Sequence, residues 1–104
     1  MFNGANMQQL MKQARAMQEQ MERDKQELEE SEVTGTAGGG AVSVKINGRR
    51  EALEVKIKPE VVSGDDVEML EDLVMAAVND ANAQIDEIAE RLSPKLPGGM
   101  NIPF

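Results

Sequence analysis

The spacing of apolar residues in the first third of the chain predicts a long amphipathic helix. Between residues 7 and 28 apolar side chains recur every three or four positions. Four of them stand in heptad steps: Met7, Ala14, Met21 and Leu28. The positions between them are mostly Gln, Glu, Lys and Arg, which are good helix formers. We therefore predict a helix over about residues 6–31, with Asn6 as its amino-terminal cap.

This helix is too long for the core of a small chain to cover. About 25 residues at 1.5 Å each reach nearly 40 Å, whereas 104 residues form only one small domain with a thin core. Part of the helix must protrude or pack on another chain. Its Met-rich stripe favours packing against another helix, because Met fills irregular gaps; a promiscuous ligand surface is the alternative. Asp24 interrupts the stripe, which argues against a continuous two-stranded coiled coil.

The middle of the chain changes to the alternating pattern of strands. "EVTGTA", the glycine turn at 38–40 and "AVSVKI" are followed by "NG" at 47–48, which favours a type I′ hairpin with positive φ at both central positions. We predict three strands over about residues 32–58. Pairing across this turn would put one apolar set on the core face: Val42, Val44, Ile46, Leu53, Val55 and Ile57. The opposite face would carry Ser43, Lys45, Arg50, Glu54, Lys56 and Lys58, with Arg49 at the turn tip.

A second helical period runs to residue 92, and the chain then becomes rich in Pro and Gly. We predict a helix over about residues 65–92, capped by Ser63 or Asp65, whose alanines at 76, 77, 81 and 83 allow another backbone to approach closely. Residues 94–104 are expected to form a flexible tail. The predicted fold class is α+β, with two long helices flanking a three-stranded antiparallel sheet (α-β-β-β-α), in a single domain over residues 1–93.

Composition argues against catalysis. The chain contains no Cys, His, Trp or Tyr, which removes disulfides, the commonest metal ligand, the usual neutral-pH base and most stacking platforms for single strands. Paired acids such as Asp65 and Asp66, or Asp80 and Asp86, lack the spacing of an EF-hand and indicate a solvated helix face. We expect no enzyme activity, no cofactor, no metal and no small-molecule substrate. With no apolar run near 18 residues, we also expect a soluble intracellular protein that does not use the membrane.

Positive charge is concentrated in the sheet although the whole chain carries a net charge of -8. Residues 32–58 have a net charge of +2, whereas residues 59–92 carry one basic and ten acidic residues. Salt would weaken the repulsion between distant acids and a phosphate backbone that lies close to the basic patch. The alternative is that these cations keep the sheet soluble and protect its edges.

The order of these segments resembles the YbaB/EbfC family of bacterial nucleoid-associated DNA-binding proteins. The resemblance covers nearly the whole chain and rests on an M-Q-rich helix running into "EVTG", then a glycine turn, "INGR", "EMLEDLVMAAVNDANAQIDE" and the ending "GGMNIPF". It implies a tweezer-like homodimer of α+β subunits whose helices project as arms. It also implies a cytoplasmic protein of the nucleoid that binds double-stranded DNA with little sequence preference and alters its conformation.

The resemblance assigns DNA contacts to the first helix and to the end of the last helix. The basic residues at those places are Lys12, Arg15, Arg23, Lys25, Arg91 and Lys95. The charge pattern of the sheet supplies a competing or supplementary patch of Lys45, Arg49 and Arg50. The alternative function is a protein-interaction scaffold, in which the helices of the dimer bind another protein and DNA binding is incidental or absent. The acidic second helix and the Met-bearing stripe favour it.

The composition of the tail generates a first prediction. Truncation after Ser93 should leave the helical circular dichroism and the thermal unfolding midpoint nearly unchanged, because Pro- and Gly-rich termini contribute little to a core. Both quantities can be measured on the full chain and the truncated chain in parallel. A large loss of stability would show that Met100, Ile102 or Phe104 packs into the core.

Overall fold

Two long helices flank a three-stranded antiparallel sheet in the computed structural model, which describes residues 4–62 and 64–92. The elements in chain order are α1 (Gly4–Glu30), β1 (Glu32–Ala37), β2 (Val42–Asn47), β3 (Ala52–Ile57), a short 3-10 helix (Pro59–Val61) and α2 (Val67–Leu92). The sheet order is β1-β2-β3. The predicted α+β fold and its element order are confirmed. Ser63, Lys95 and the predicted flexible tail lie outside the described residues.

The predicted helix caps need correction. Asn6 lies inside α1, which already begins at Gly4. The second helix begins at Val67, and Asp66 caps it by accepting a hydrogen bond from the backbone N–H of Met69 at 3.0 Å. Asp66, and not Asp65, directly precedes the first helical residue, so its carboxylate reaches the third helical N–H. Asp66 and Glu68 also place negative charge at the positive end of the helix dipole.

The second helix packs directly on the backbone of β1 at Gly35. A Cβ at position 35 would lie 2.1 Å from the carbonyl oxygen of Ala77 and 2.4 Å from the backbone nitrogen of Ala81. Ala77 and Ala81 are fully buried, as expected for small residues at a close contact, whereas Ala76 and Ala83 are exposed. The core then forms between α2 and the inner face of β2, from Val42, Val44, Ile46, Ile85 and Leu28.

The third strand is left uncovered, which corrects the predicted core. Val42 pairs with Ile57 and Val44 with Val55, so these residues share a face as predicted. The apolar residues of β3 nevertheless remain exposed, at 48% for Leu53, 53% for Val55 and 38% for Ile57. The reason is that α2 packs mainly over β1 and β2 and not over β3. We call Leu53, Val55 and Ile57 the β3 apolar strip.

The turn between β2 and β3 also differs from the predicted type I′ hairpin. Arg50 donates its backbone N–H to the carbonyl oxygen of Asn47 at 2.9 Å. Asn47 in turn donates its backbone N–H to the carbonyl oxygen of Glu51, so the loop between these two residues contains three residues, 48–50. Within the described part of the chain Arg50 is the only non-glycine residue with positive φ, at 64°, and Gly48 does not have positive φ. Glycine at position 48 serves another purpose: its Cβ would lie 1.7 Å from the carbonyl oxygen of Leu28 at the end of α1. The register also shifts here, because Lys45 pairs with Glu54 but Ile46 pairs with Ala52.

The contact at Gly35 yields a prediction about stability. Gly35→Ala should destabilise the fold by about 1 to 3 kcal/mol, because the added methyl group meets backbone atoms of α2 that cannot rotate away. The matched control is Gly64→Ala, since no atom lies within 4 Å of a Cβ at that position. Urea unfolding followed by circular dichroism measures both variants. Equal midpoints for the two variants would contradict the close packing of α2 on β1.

Candidate nucleic-acid interface

The amino-terminal half of α1 projects away from the rest of the chain. Every side chain from residue 6 to residue 20 is exposed, and the helix meets the core only further on, where Met21 and Asp24 are half-buried and Leu28 is buried. The 27 residues of α1 span about 40 Å at 1.5 Å per residue. We call residues 6–20 the arm. Its helical form in the absence of a packed face rests on its Gln, Glu, Lys, Arg and Ala content.

Two basic side chains stand on this arm without competing partners. Within residues 4–62 and 64–92, neither Lys12 nor Arg15 is ion-paired or hydrogen-bonded through its side chain. Their spacing of three residues puts them on one side of the helix. Arg23 lies on that side three turns further on, and it donates to Oε1 of Gln20 at 3.1 Å. Lys12 is nine residues from Met21, or two and a half turns, so Lys12 faces away from Met21. Arg15 is four residues from Met11 and lies beside the apolar stripe.

Lys25 and Arg49 lie together at a groove of about 490 Å³ beside the base of α1. The lining residues are Glu22, Lys25, Gln26, Glu29, Glu30, Asn47, Arg49 and Glu51. Four carboxylates therefore surround two cations, and Arg49 bonds directly to Oε2 of Glu29 at 3.2 Å. An anionic phosphate is repelled by this lining, so the groove is a poor site for nucleic acid.

Arg50 lies on the opposite side of the sheet from the predicted one. Its guanidinium reaches α2, where it donates to the side-chain oxygen of Asn82 at 2.7 Å and to the carbonyl oxygen of Asn82 at 3.3 Å. It also forms an ion pair with Asp86. The positive φ of Arg50 and the register shift between β2 and β3 break the strict alternation on which the prediction depended.

The other cations of the sheet lie on its open face and are partly neutralised there. Lys45 lies 3.9 Å from a carboxylate oxygen of Glu32 on β1, and Lys56 lies 3.4 Å from Glu54. All four side chains are exposed, and such pairs are weak. Arg91 is exposed in the last turn of α2, where its charge suits the negative end of the helix dipole.

The predicted cations thus fall into separate groups. Lys12, Arg15 and Arg23 share one side of α1, Lys45 lies on the open sheet face, Arg91 ends α2, and Lys25, Arg49 and Arg50 are involved with acidic or polar neighbours. The sequence pattern did not indicate Asn82 and Asp86 as partners of Arg50. Their spacing of four residues marks one side of α2, but only the fold brings the turn to that side.

Two of the acids that the sequence assigned to a solvated helix face also make specific bonds. Asp80 accepts a hydrogen bond from the backbone N–H of Thr36 at 2.9 Å, and Asp86 pairs with Arg50. In the part of the chain that the structure describes, no cluster of three or more His, Cys, Asp or Glu residues is arranged to hold a metal ion. Across the same residues, none of the helices combines the length and apolar character needed to cross a membrane.

Comparisons with known proteins agree with this architecture. The sequence model of the YbaB/EbfC DNA-binding family matches residues 3–100. A nucleoid-associated protein of Alkaliphilus metalliredigens is 50% identical over 103 residues, covering 99% of this chain and 90% of that protein. One from Clostridium novyi is 52% identical with the same coverage, and one from Chloroflexus aurantiacus is 50% identical over 91% of this chain and 95% of its own length.

The fold also occurs in a solved structure. The crystal structure of the uncharacterized protein HP0035 from Helicobacter pylori superposes with a TM-score of 0.65, covering 88% of this chain and 94% of that one. The two sequences are 23% identical, so the likeness concerns the fold alone.

Proposed function

This chain belongs to the YbaB/EbfC DNA-binding family, and we propose that it is a nucleoid-associated protein that binds double-stranded DNA as a homodimer. Binding uses phosphate contacts with little sequence preference, alters the conformation of the DNA, and thereby influences nucleoid organisation and gene expression. The protein acts in the cytoplasm, at the nucleoid. The observation that carries the proposal is the projecting arm with Lys12 and Arg15 unpaired among the described residues.

Phosphate contacts suit the chemistry of this arm. Long, mobile Lys and Arg side chains on an exposed helix reach phosphates and release counterions, without reading base edges. The sequence contains no pattern of an element that reads base edges, such as a helix-turn-helix or a zinc finger. It also contains no Trp or Tyr to stack on bases. The resulting binding is sequence-tolerant and sensitive to salt.

The distribution of acids supports contact through the arm and not through α2. Residues 59–92 carry a net charge of -9, whereas the arm has Lys12, Arg15 and a single acid, Glu19. Salt screens charges beyond roughly 8 to 10 Å. Because the arm extends beyond the compact part of the chain, DNA held at its outer part is screened from most of the acids of α2. The overall charge of -8 is therefore compatible with DNA binding.

The unequal edges of the sheet support a homodimer that is formed through β3. The edge of β1 is occupied by α2, since Asp80 accepts from the N–H of Thr36 and Gln84 donates to the carbonyl oxygen of Thr34 at 2.8 Å. The β3 apolar strip has no such cover. A second copy that covers this strip removes three apolar side chains from water, and two-fold symmetry is the commonest arrangement of such pairs.

The second helix exposes a further apolar residue. Met75 is 58% exposed and lies seven residues before Asn82, hence two turns along the same side of α2. Arg50 of the turn before β3 bonds to Asn82, so this side of α2 is directed toward the turn that leads into β3. We infer that the proposed second subunit covers Met75 together with the β3 apolar strip. Two arms then project from one dimer, and several phosphates are reached despite the few cations in each subunit.

A protein-interaction scaffold is the competing function, and one observation favours it. The apolar stripe of the arm exposes Met7, Leu10, Met11 and Met17, each at half or more of its surface. Such a stripe suits the apolar face of a partner helix. DNA binding measured directly separates the two functions, because the scaffold does not require affinity for duplex DNA.

We expect the protein to sediment as a dimer. Sedimentation equilibrium at low micromolar concentration should report about twice the chain mass of 11.3 kDa. Val55→Glu should shift the mass toward the monomer, because a charge placed in the β3 apolar strip cannot be buried unpaired. Glu54→Gln, on the opposite face of the same strand, is the control and should remain dimeric. A stable monomer of the unmodified protein would refute the proposed assembly.

We also expect the arm to dominate the affinity for DNA. If each subunit neutralises roughly two or three phosphates, the affinity of the dimer for generic duplex should fall with a log-log salt slope near -4 to -5, at about 0.9 per phosphate. Replacing Lys12 and Arg15 with Gln should weaken binding and make the slope shallower by up to about 3.6. The matched variant replaces Lys45 and Lys56 with Gln, which removes the same charge from the sheet face and should cost less affinity.

Gel-shift titrations at two salt concentrations measure these slopes, and sedimentation confirms that both variants remain folded dimers. Equal losses for the two variants would assign the binding to net charge and not to the arm. If the unmodified protein fails to bind duplex even at about 50 mM salt, where phosphate contacts are strong, the scaffold function replaces DNA binding.

A further inference from the structure

We propose that Arg49 and Arg50 are positioning residues that set the direction of both long helices, and that neither contacts DNA. The two arginines stand side by side in the turn between β2 and β3, and their side chains bond to different helices. We call this turn, with Glu29, Asn82 and Asp86, the hairpin clamp. Its effect on DNA rests on the function proposed above, whereas its effect on helix direction does not.

The turn itself is an ordered platform. The side-chain oxygen of Asn47 accepts hydrogen bonds from the backbone N–H groups of Arg49 at 2.9 Å and of Glu51 at 3.1 Å. Its side-chain amide donates to Oε1 of Glu51 at 2.9 Å. One asparagine therefore closes the turn from both sides, which holds the two arginines in a defined arrangement.

The first helix is held against this platform at its last turn. The backbone of Gly48 approaches the carbonyl oxygen of Leu28 so closely that a Cβ at position 48 would overlap with it. Arg49 bonds to Glu29, the residue that follows Leu28 in α1. Only Ser31 separates α1 from β1. The base of α1 is thus fixed by the chain connection, by the glycine contact and by the Arg49–Glu29 ion pair.

The second helix is held by Arg50. The planar guanidinium donates to both oxygens of Asn82 and to the carboxylate of Asp86, one turn apart on α2. This fork geometry fixes direction as well as distance, and Lys cannot reproduce it. The ordered turn thereby connects the last turn of α1 to α2.

The length of the arm makes small changes at this base large at its tip. From Leu28 to Gly4 the helix rises about 36 Å, so a change of 10° in its direction moves the tip by roughly 6 Å. A hydrogen bond to a phosphate tolerates far less than that. Exposed ion pairs add little to folding stability, so the clamp controls where the arm cations lie more than whether the chain folds.

The existing bonds also oppose a direct role in DNA binding. Both guanidinium groups already pair with carboxylates, so contact with a phosphate would require each to leave its partner. The side chains of Glu29 and Asp86 would then face the incoming phosphate as unpaired negative charges. The two roles therefore predict opposite results when the acidic partner is removed.

The test compares three variants: Arg50→Lys, Asp86→Ala and the control Glu87→Ala. Glu87 is exposed and, within the described residues, has no ion pair, so its replacement removes the same charge without touching the clamp. Gel-shift titration measures affinity for generic duplex DNA. We expect Arg50→Lys and Asp86→Ala each to weaken binding by about fivefold. This factor corresponds to about 1 kcal/mol, the upper end of the free energies measured for exposed ion pairs. Glu87→Ala should bind as well as the unmodified protein or slightly better.

A direct phosphate contact gives the reverse pattern. Arg50→Lys would keep its charge and bind normally, and Asp86→Ala would free Arg50 and bind more tightly than Glu87→Ala. That result would overturn the proposal.

The helix direction is measured without DNA. The chain contains no cysteine, so spin labels on Cys introduced at the exposed positions Gln9 and Glu90 report the distance between α1 and α2. Dilution into unlabelled protein restricts the signal to pairs within one chain. The clamp variants should broaden or shift the distance distribution, while Glu87→Ala should not. Unchanged distributions in Arg50→Lys and Asp86→Ala would refute the clamp; shifted distributions in a protein that binds no DNA would support the clamp and reject only the function.

Discussion

The close packing of α2 on β1 at Gly35 is the contact on which the rest of the structure depends. With no side chain at that position, the backbone of β1 lies directly under Ala77 and Ala81. This contact centres α2 over β1 and β2, where it buries Val42, Val44 and Ile85. The same placement leaves the β3 apolar strip without cover. One small-residue contact therefore determines both the core and the surface that we propose for a second subunit.

The side chains of α2 that do not enter the core arrange the edges of the sheet. Asp80 and Gln84 occupy the outer edge of β1, and Asn82 and Asp86 hold the turn beside β3. The acidity of this helix thus has structural consequences beyond solubility. In the proposed function, its negative charge also keeps DNA away from the compact part of the chain and directs it to the arm.

Long-range geometry gives the cations of this chain different roles. Lys12 and Arg15 project from the arm, where every side chain is exposed, whereas Arg49 and Arg50 are bonded to acids from distant segments. A basic residue is available to phosphate only when no carboxylate of its own chain already neutralises it. This distinction follows from packing, and it supports assigning DNA contact to the arm and helix positioning to the turn.

The sequence by itself determined the helices, the strands and the family, because periodicity, alternation and turn residues are properties of neighbouring positions. It also indicated that α1 is too long to be covered. Only the tertiary structure decided which apolar face is buried, since coverage of β3 depends on where α2 lies, and α2 is distant in sequence. It likewise decided the side taken by Arg50, because a positive φ and a register shift interrupt the alternation, and its partners Asn82 and Asp86 lie more than 30 residues away.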